Sequence, residues 1–245
     1  SHKTSPMCSL SFAPSSGGFY LLMNRDEQRS RAVAIPPQKL VCGNLSAVYP
    51  REASGGTWIG INQHGLMLAL INWYSTPQLQ GTPAFSRGAI IPKLLAKDSA
   101  STMEEELHHL PLARLNPFRL ILVSAQDQSL YEFRSDSVTC RRLSFPWARA
   151  HWFSSGFEEN KAMRIREQTC ALESGLDTLT QFRNLHSSHA PEKGPFSICM
   201  HREDACTVSC TEIIMTNEQA TVSYYDSSPC QAVTPTSLTL KLGHE

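Results

Sequence analysis

Net charge is what this sequence most plainly lacks. Lys and Arg number 22 and Asp and Glu number 22 among 245 residues, so composition forces no basic face and nucleic acid is not an expected partner. No apolar run approaches the ~18 residues of a membrane-crossing helix, and the first twenty residues have neither the charged start nor the apolar centre of a secretory signal. These absences predict a cytoplasmic chain without a membrane span. Internal repeats, heptads and low-complexity tracts are missing too, and no linker rich in Pro, Gly or Ser divides the chain.

What is present is an ordinary globular composition. Apolar residues make up 41% and charged residues 18%, with 15 Pro and 13 Gly, which excludes disorder and collagen-like repeats. At roughly 100 to 200 residues per domain the length admits a single unit, expected over 8–245, with Ser1 to Met7 an unstructured lead-in foreign to the fold. The eight cysteines, Cys8, Cys42, Cys140, Cys170, Cys199, Cys206, Cys210 and Cys230, read as reduced thiols, because a chain of this size needs no staples.

Strand and helix signals alternate in blocks. Met7 to Phe12 and Phe19 to Asn24 flank Ala-Pro-Ser-Ser-Gly-Gly as an opening hairpin; Gly56 to Asn62 and Gly65 to Asn72 form a second, with Gly65 available for a bulge and apolarity that implies burial on both faces. Ser86 to Lys97 has apolar positions at helical spacing, and Ser101 to Glu104 has the form of a capping box for a helix ending near Leu110. A meander is expected over Phe118 to Ser124, Ser129 to Arg134 and Ser137 to Leu143, then helices over Glu158 to Ser174 and Asp177 to Leu185. Phe196 to Arg202, Val208 to Met215, Ala220 to Tyr225 and Ser237 to Leu242 read as closing strands. Strand blocks separated by helix pairs imply an α+β fold, a four-layer αββα sandwich of two antiparallel sheets covered by helices.

Three places could carry chemistry. Cys8 follows Met7 directly and is backed by a small residue; if Met7 is an initiator, its removal would leave a thiol and a free α-amine on one residue. An α-amine with an unperturbed pKa of about 7.7–8.0 is a competent base near neutrality. The alternative is a buried reduced cysteine in a strand. Met23 to Glu27 ends the second strand with four polar residues, costly to bury unless they satisfy one another. There Arg25 could lower a neighbouring thiol's pKa and Asp26 could orient an amine, or the pair could be a solvated hairpin end. Asn72 closes an apolar strand, where its amide could stabilise an oxyanion or simply form a turn.

Taken together, Met7-Cys8, MNRDE at Met23 to Glu27, SGGTWIGIN at Ser54 to Asn62 and SRG at Ser86 to Gly88 resemble the NRDE family, also called the transport and Golgi organisation family, in order from Cys8 to about Leu143. That family is similar to N-terminal-nucleophile hydrolases of the choloylglycine hydrolase and penicillin acyltransferase type. The resemblance implies a cysteine amidohydrolase or acyltransferase on a small amide or acyl ligand. Cys8 would attack the carbonyl, its amine would take the proton, Arg25 and Asp26 would position and polarise the pair, and Asn72 would hold the oxyanion. Asn24 lies close enough to serve the same site; Trp58 and Gly56 read as packing and close-approach positions, Trp58 against a bound ligand.

Two departures from the resemblance weigh against hydrolysis. Ser155 stands where hydrolase kin have a second oxyanion asparagine, and Val208 where they have an arginine, a cation that His201 or Arg202 would have to supply. A second reading follows, a non-catalytic carrier or trafficking factor that holds a hydrophobic, acyl or haem-like ligand. No cofactor is expected: there is no Cys-Pro or C-x-x-C-H for haem ligation. No metal is expected either, since Cys199, His201, Cys206 and Cys210 do not follow a usual zinc-knuckle spacing. His108 and His109, at a helix end, read as favourable dipole partners rather than ligands.

Overall fold

A computed structural model describes residues 7–172 and 177–243. Three hairpins come first: β1 (Cys8–Ser15) with β2 (Gly18–Gln28), β3 (Ile35–Cys42) with β4 (Leu45–Arg51), and β5 (Ile59–Asn62) with β6 (Leu66–Asn72). Helices α1 (Ile90–Leu94) and α2 (Ala100–His109) precede the strands β7 (Phe118–Ser124), β8 (Ser129–Ser135), β9 (Cys140–Phe145) and β10 (Ala150–Ser154). Helices α3 (Glu159–Leu172) and α4 (Thr178–Ser187) lead to β11 (Ala205–Met215), β12 (Gln219–Tyr225) and β13 (Thr236–Lys241).

The strands form two sheets, one ordered β10-β1-β2-β11-β12-β13 and the other β3 through β9 in sequence order. Every pairing is antiparallel. Side chains alternate between the faces of a strand, and the apolar sets sort accordingly. Leu10, Phe12, Leu21 and Met23 of the first sheet meet Ile59, Ile61, Met67, Ala69 and Ile121 of the second in one shared core. The outer face of the second sheet is covered by Ile90, Ile91 and Leu94 of α1 and Met103 and Leu107 of α2. Phe182 of α4 covers Ala13 and Leu22 on the outer face of the first, and Leu185 covers Phe153. The αββα sandwich expected from the sequence is therefore present. Among the described residues no helix is long and apolar enough to cross a membrane.

Several elements differ from the sequence reading. Strands β3, β4 and β10 were not anticipated, and Phe196 to Arg202 is irregular apart from a single bridge between His201 and Cys206. The capping box of α2 lies two residues earlier than expected: Ser99, in an extended conformation, accepts from the Thr102 amide while the Thr102 hydroxyl accepts from the Ser99 amide. Gly65 takes a positive φ of 69° in the β5–β6 turn, where a side chain would be strained. The expected end of α3 at residue 174 lies outside the described residues. Met7 is no lead-in: it is buried with Met200 and Ala205, and its carbonyl accepts from the Asp26 amide at 2.8 Å.

Polar groups bind the layers where apolar side chains do not. Glu132 of β8, fully buried, accepts from Arg119, Arg134 and the indole of Trp152, so an ion cluster ties the second sheet to β10 of the first. Burial would raise its carboxyl, yet Arg134 and Arg119 hold it below the usual carboxylate range. Beneath α4 runs a chain of four side chains. The Asn24 amide nitrogen donates to the carbonyls of His186 and Ile198, which leaves its oxygen to accept from His186 Nδ1. His186 Nε2 then accepts from Ser11 Oγ, and that oxygen accepts from His151 Nδ1. Every link is satisfied with both imidazoles neutral, and burial lowers His186 to about 3 and His151 to about 4.

That arrangement sets a pH dependence. A histidine whose folded pKa lies below its unfolded value of about 6.5 favours the fold above that value, and the benefit is lost as pH falls toward the folded pKa. Wild-type stability should therefore erode between about pH 6.5 and 4. In urea titrations His186→Gln should show a shallower acid loss than wild type, by about 1 kcal/mol per pH unit; parallel slopes would refute the neutral, buried assignment.

Candidate active site

Cys8 opens β1 in the interior of its sheet, paired on one side with Arg25 of β2 and on the other with Ser154 of β10. Paired residues point to the same face. Cys8 and Arg25 thus both face the second sheet, where Trp58 and Asn72 approach from the ends of β5 and β6. All four line one cavity of about 140 Å³, together with Glu52, Thr57 and Arg87. The Arg25 guanidinium lies 4.2 Å from the Trp58 ring centroid, a cation–π contact, and donates to Glu27 at 3.2 Å and Glu52 at 2.8 Å. Arg31 pairs with the same two carboxylates, so four alternating charges wall one side of the cavity. A roomier cavity of about 400 Å³ around Gly17, His64 and Trp147 contains no cysteine.

Electrostatics at the thiol are unfavourable for ionisation while Met7 precedes it. Burial and the Asp26 charge push Cys8 up to about 12, with Arg25 opposing. Asn72 Nδ2 donates to the Tyr74 hydroxyl at 2.7 Å. The indole nitrogen of Trp58 has no hydrogen-bond partner among the described residues, a buried donor at the cavity wall.

The next residues along β2 face the other way. Asn24 and Asp26 lie on the helix side, so Asn24 is taken up by α4 and does not reach the Cys8 cavity as expected. Asp26 is fully buried; Thr207 Oγ1 donates to its Oδ1 at 2.5 Å, and Arg166 of α3 lies 3.7 Å from its Oδ2. That second oxygen has no hydrogen-bond partner among the described residues. Burial lifts the Asp26 carboxyl to about 7 despite the Arg166 charge and the Thr207 bond, and burial lowers Arg166. The Asp26 carboxylate thus lies on the opposite face of β2 from Arg25, yet its charge acts on the Cys8 sulfur, and its backbone amide holds the Met7 carbonyl.

His201 does not join this cavity; it sits beside Cys206 and turns its Nε2 toward His189 and Cys199. Arg202 pairs with Asp204 and stacks on Phe157. The cations at the cavity are instead Arg25, Arg31 and Arg87. Ser155 is buried against Met7 and Phe157, and Val208 occupies the β11 bulge that shifts register between Thr207 and Ser209. It lines an adjoining cavity of about 300 Å³ that shares Arg25, Glu27 and Arg31 with the first.

Sequence reasoning missed Arg87, Glu52, Arg31 and Arg166. Arg87 had a signal, the Ser86-Arg87-Gly88 string, and the structure explains why that string meets Gly55-Gly56-Thr57-Trp58. A Cβ built on Gly56 would stand 3.1 Å from Gly88 Cα, and the Thr57 amide donates to the Gly88 carbonyl at 3.0 Å. Two glycines let the backbones touch, which seats Arg87 beside Trp58.

Residues 7–227 match the family model described as Transport and Golgi organisation 2. No curated protein matches the chain. The solved structure of penicillin V acylase from Agrobacterium tumefaciens is similar at 10% identity, over 96% of this chain and 86% of that one, with a TM-score of 0.47. At that score the fold assignment rests on this chain's own sheets and helices.

The glycine contact is directly measurable. Gly56→Ala should cost about 1–3 kcal/mol in urea unfolding through overpacking, whereas Gly194→Ala, whose Cβ meets nothing within 4 Å, should stay within about 0.5 kcal/mol of wild type. Equal stabilities would show that the two backbones separate freely.

Proposed function

The chain belongs to the Transport and Golgi organisation 2 family, and from that premise we propose that it is a cysteine amidohydrolase or acyltransferase of the N-terminal-nucleophile kind, acting on a small amide or acyl substrate once Cys8 begins the chain. The supporting observation above all is that Cys8, Arg25 and Asn72, from three strands of two sheets, line one cavity. A second support is Asp26, whose backbone amide donates to the Met7 carbonyl and whose buried charge acts on the Cys8 thiol; an ammonium at Cys8 gains the same buried counter-charge.

In this reading the Cys8 α-amine takes the thiol proton and Sγ bonds to the substrate carbonyl carbon, whose π electrons move to oxygen. Asn72 Nδ2 donates to that oxyanion, and the Arg25 and Arg87 charges favour thiolate over thiol. The oxyanion collapses, the carbon–nitrogen bond breaks, and the amine leaves with the proton held by Cys8. Water, deprotonated by the same amine, then cleaves the thioester; a second amine in place of water gives acyl transfer. Trp58 offers its free indole N–H and its ring face to the substrate.

The test is a protein processed to begin at Cys8, assayed against short N-acyl amides and acyl thioesters. Turnover should fall about a thousandfold or more in Cys8→Ala, and the form that retains Met7 should be nearly as inactive. Undiminished turnover in Cys8→Ala would overturn the mechanism.

One observation favours a carrier instead: with Met7 in place the thiol is held near 12 and no amine is available. A carrier of acyl or other hydrophobic ligands would bind them in a manner that survives Cys8→Ala. Thermal-shift titration of wild type and variant with a fatty acyl thioester separates the readings, since a shift retained in the variant without turnover in either protein supports the carrier.

A further inference from the structure

The long segment between α4 and β11 folds back so that three of its residues meet one from the β12–β13 connection. His189, Cys199, His201 and Cys230 each present one ligand atom, and all four atoms lie within 4.8 Å of one another. His201 Nε2 is 3.2 Å from His189 Nε2, 3.5 Å from Cys199 Sγ and 3.5 Å from Cys230 Sγ. A tetrahedral zinc with Zn–N near 2.05 Å and Zn–S near 2.3 Å requires edges of about 3.3 Å between nitrogens and about 3.6 Å between nitrogen and sulfur. The three observed edges match those lengths.

We propose that these four side chains form a structural zinc site. Two thiolates and two neutral imidazoles are a tetrahedral donor set that selects zinc over hard cations, and four protein ligands leave no open position for chemistry. The quartet is not Cys199, His201, Cys206 and Cys210: Cys206 lines the cavity that also holds Val208 and Cys210 packs with Leu22 and Phe182, while His189 and Cys230 take their places. The ion would stand clear of the cavity around Cys8, and its presence is independent of any reaction there.

The site has work to do in the fold. Cys199 and His201 flank Met200, whose amide donates to Thr207 Oγ1 and whose carbonyl accepts from the Thr207 amide. Thr207 is the residue that donates to Asp26. Just upstream, the carbonyl of Ser197 accepts from Arg166 and that of Ile198 from Asn24. Near the fourth ligand, Ser228 Oγ donates to the Thr207 carbonyl. Zinc would thus staple together the two irregular segments that hold the polar groups behind Cys8, in a region with little regular hydrogen bonding of its own.

The decisive measurement is metal content by plasma mass spectrometry of the full chain, produced with zinc chloride, freed of any affinity tag and desalted. About one zinc per chain is expected in wild type, with at least a tenfold loss in Cys230→Ser and in His189→Ala. Cobalt(II) added to the metal-free wild type should give the red-region absorption of a tetrahedral ion and a thiolate charge-transfer band, a readout that needs no variant to fold. Chelator should lower the melting temperature, and zinc chloride restore it. Wild type with less than a tenth of a zinc per chain, a Cys199–Cys230 disulfide in the fresh protein, or full zinc retained in both variants would each overturn the proposal.

Discussion

Period-two alternation along the central strand pair β1–β2 is the constraint on which the rest of this structure depends. These strands carry polar side chains on both faces, and both faces are covered, so every charge they bear must find its partner inside the protein. Cys8 and Arg25 point into the space between the sheets; Ser9, Ser11, Asn24 and Asp26 point toward the helices. The cavity and the polar layer behind it are two sides of the same two strands.

Each side solves the burial problem differently. Between the sheets, Arg25 and Arg31 alternate with Glu27 and Glu52, and Trp58 covers the Arg25 guanidinium, so the wall is neutral as a whole while its individual charges stay available to a ligand. Under the helices, solvation is lost with less compensation. Asp26 and Arg166 are both fully buried, yet their closest approach of 3.7 Å is too long for a hydrogen bond, and Asp26 Oδ2 and Arg166 Nε remain unsatisfied among the described residues. Unmet polar atoms in so closed a place are where chemistry concentrates, because a new charge there gains more than it would in water.

The histidine chain and the irregular segment after α4 belong to the same layer. His186 and Asn24 fasten α4 to β2, Arg166 fastens α3 to β1 and to Ser197, and Thr207 joins the start of β11 to Asp26. Helices, loop and sheet are thus held by directional bonds to carbonyls and carboxylates as well as by apolar contacts such as those of Phe182 and Leu185. Such contacts specify geometry closely, which suits a layer that sets the position of the Cys8 backbone.

Much of this fold was legible in the sequence, and the reasons are local. Short apolar runs marked β1, β2, β5 and β6, turn chemistry marked their hairpins, and helical spacing over Ser86 to Lys97 with a capping signature after it marked the first helix pair, so the αββα order followed. Strand β3, with two prolines and mostly exposed or half-buried residues, and the short β10 carry no such signal. The polar run Asn24 to Glu27 announced an unusual strand end, but which members faced the cavity depended on register, and alternation put Arg25 and Glu27 there while turning Asn24 and Asp26 toward the helices. Arg166 was hidden because the buried stripe of α3, Glu159, Ala162, Arg166 and Thr169, is mostly polar and looks exposed to a hydrophobicity pattern. His189 and Cys230 lie far apart in the chain, in segments without periodicity. Sequence alone determined the order of layers and the residues able to do chemistry, because those depend on neighbours a few positions away; only the tertiary structure decided which of them meet, because that depends on strand register and on how irregular segments close in space.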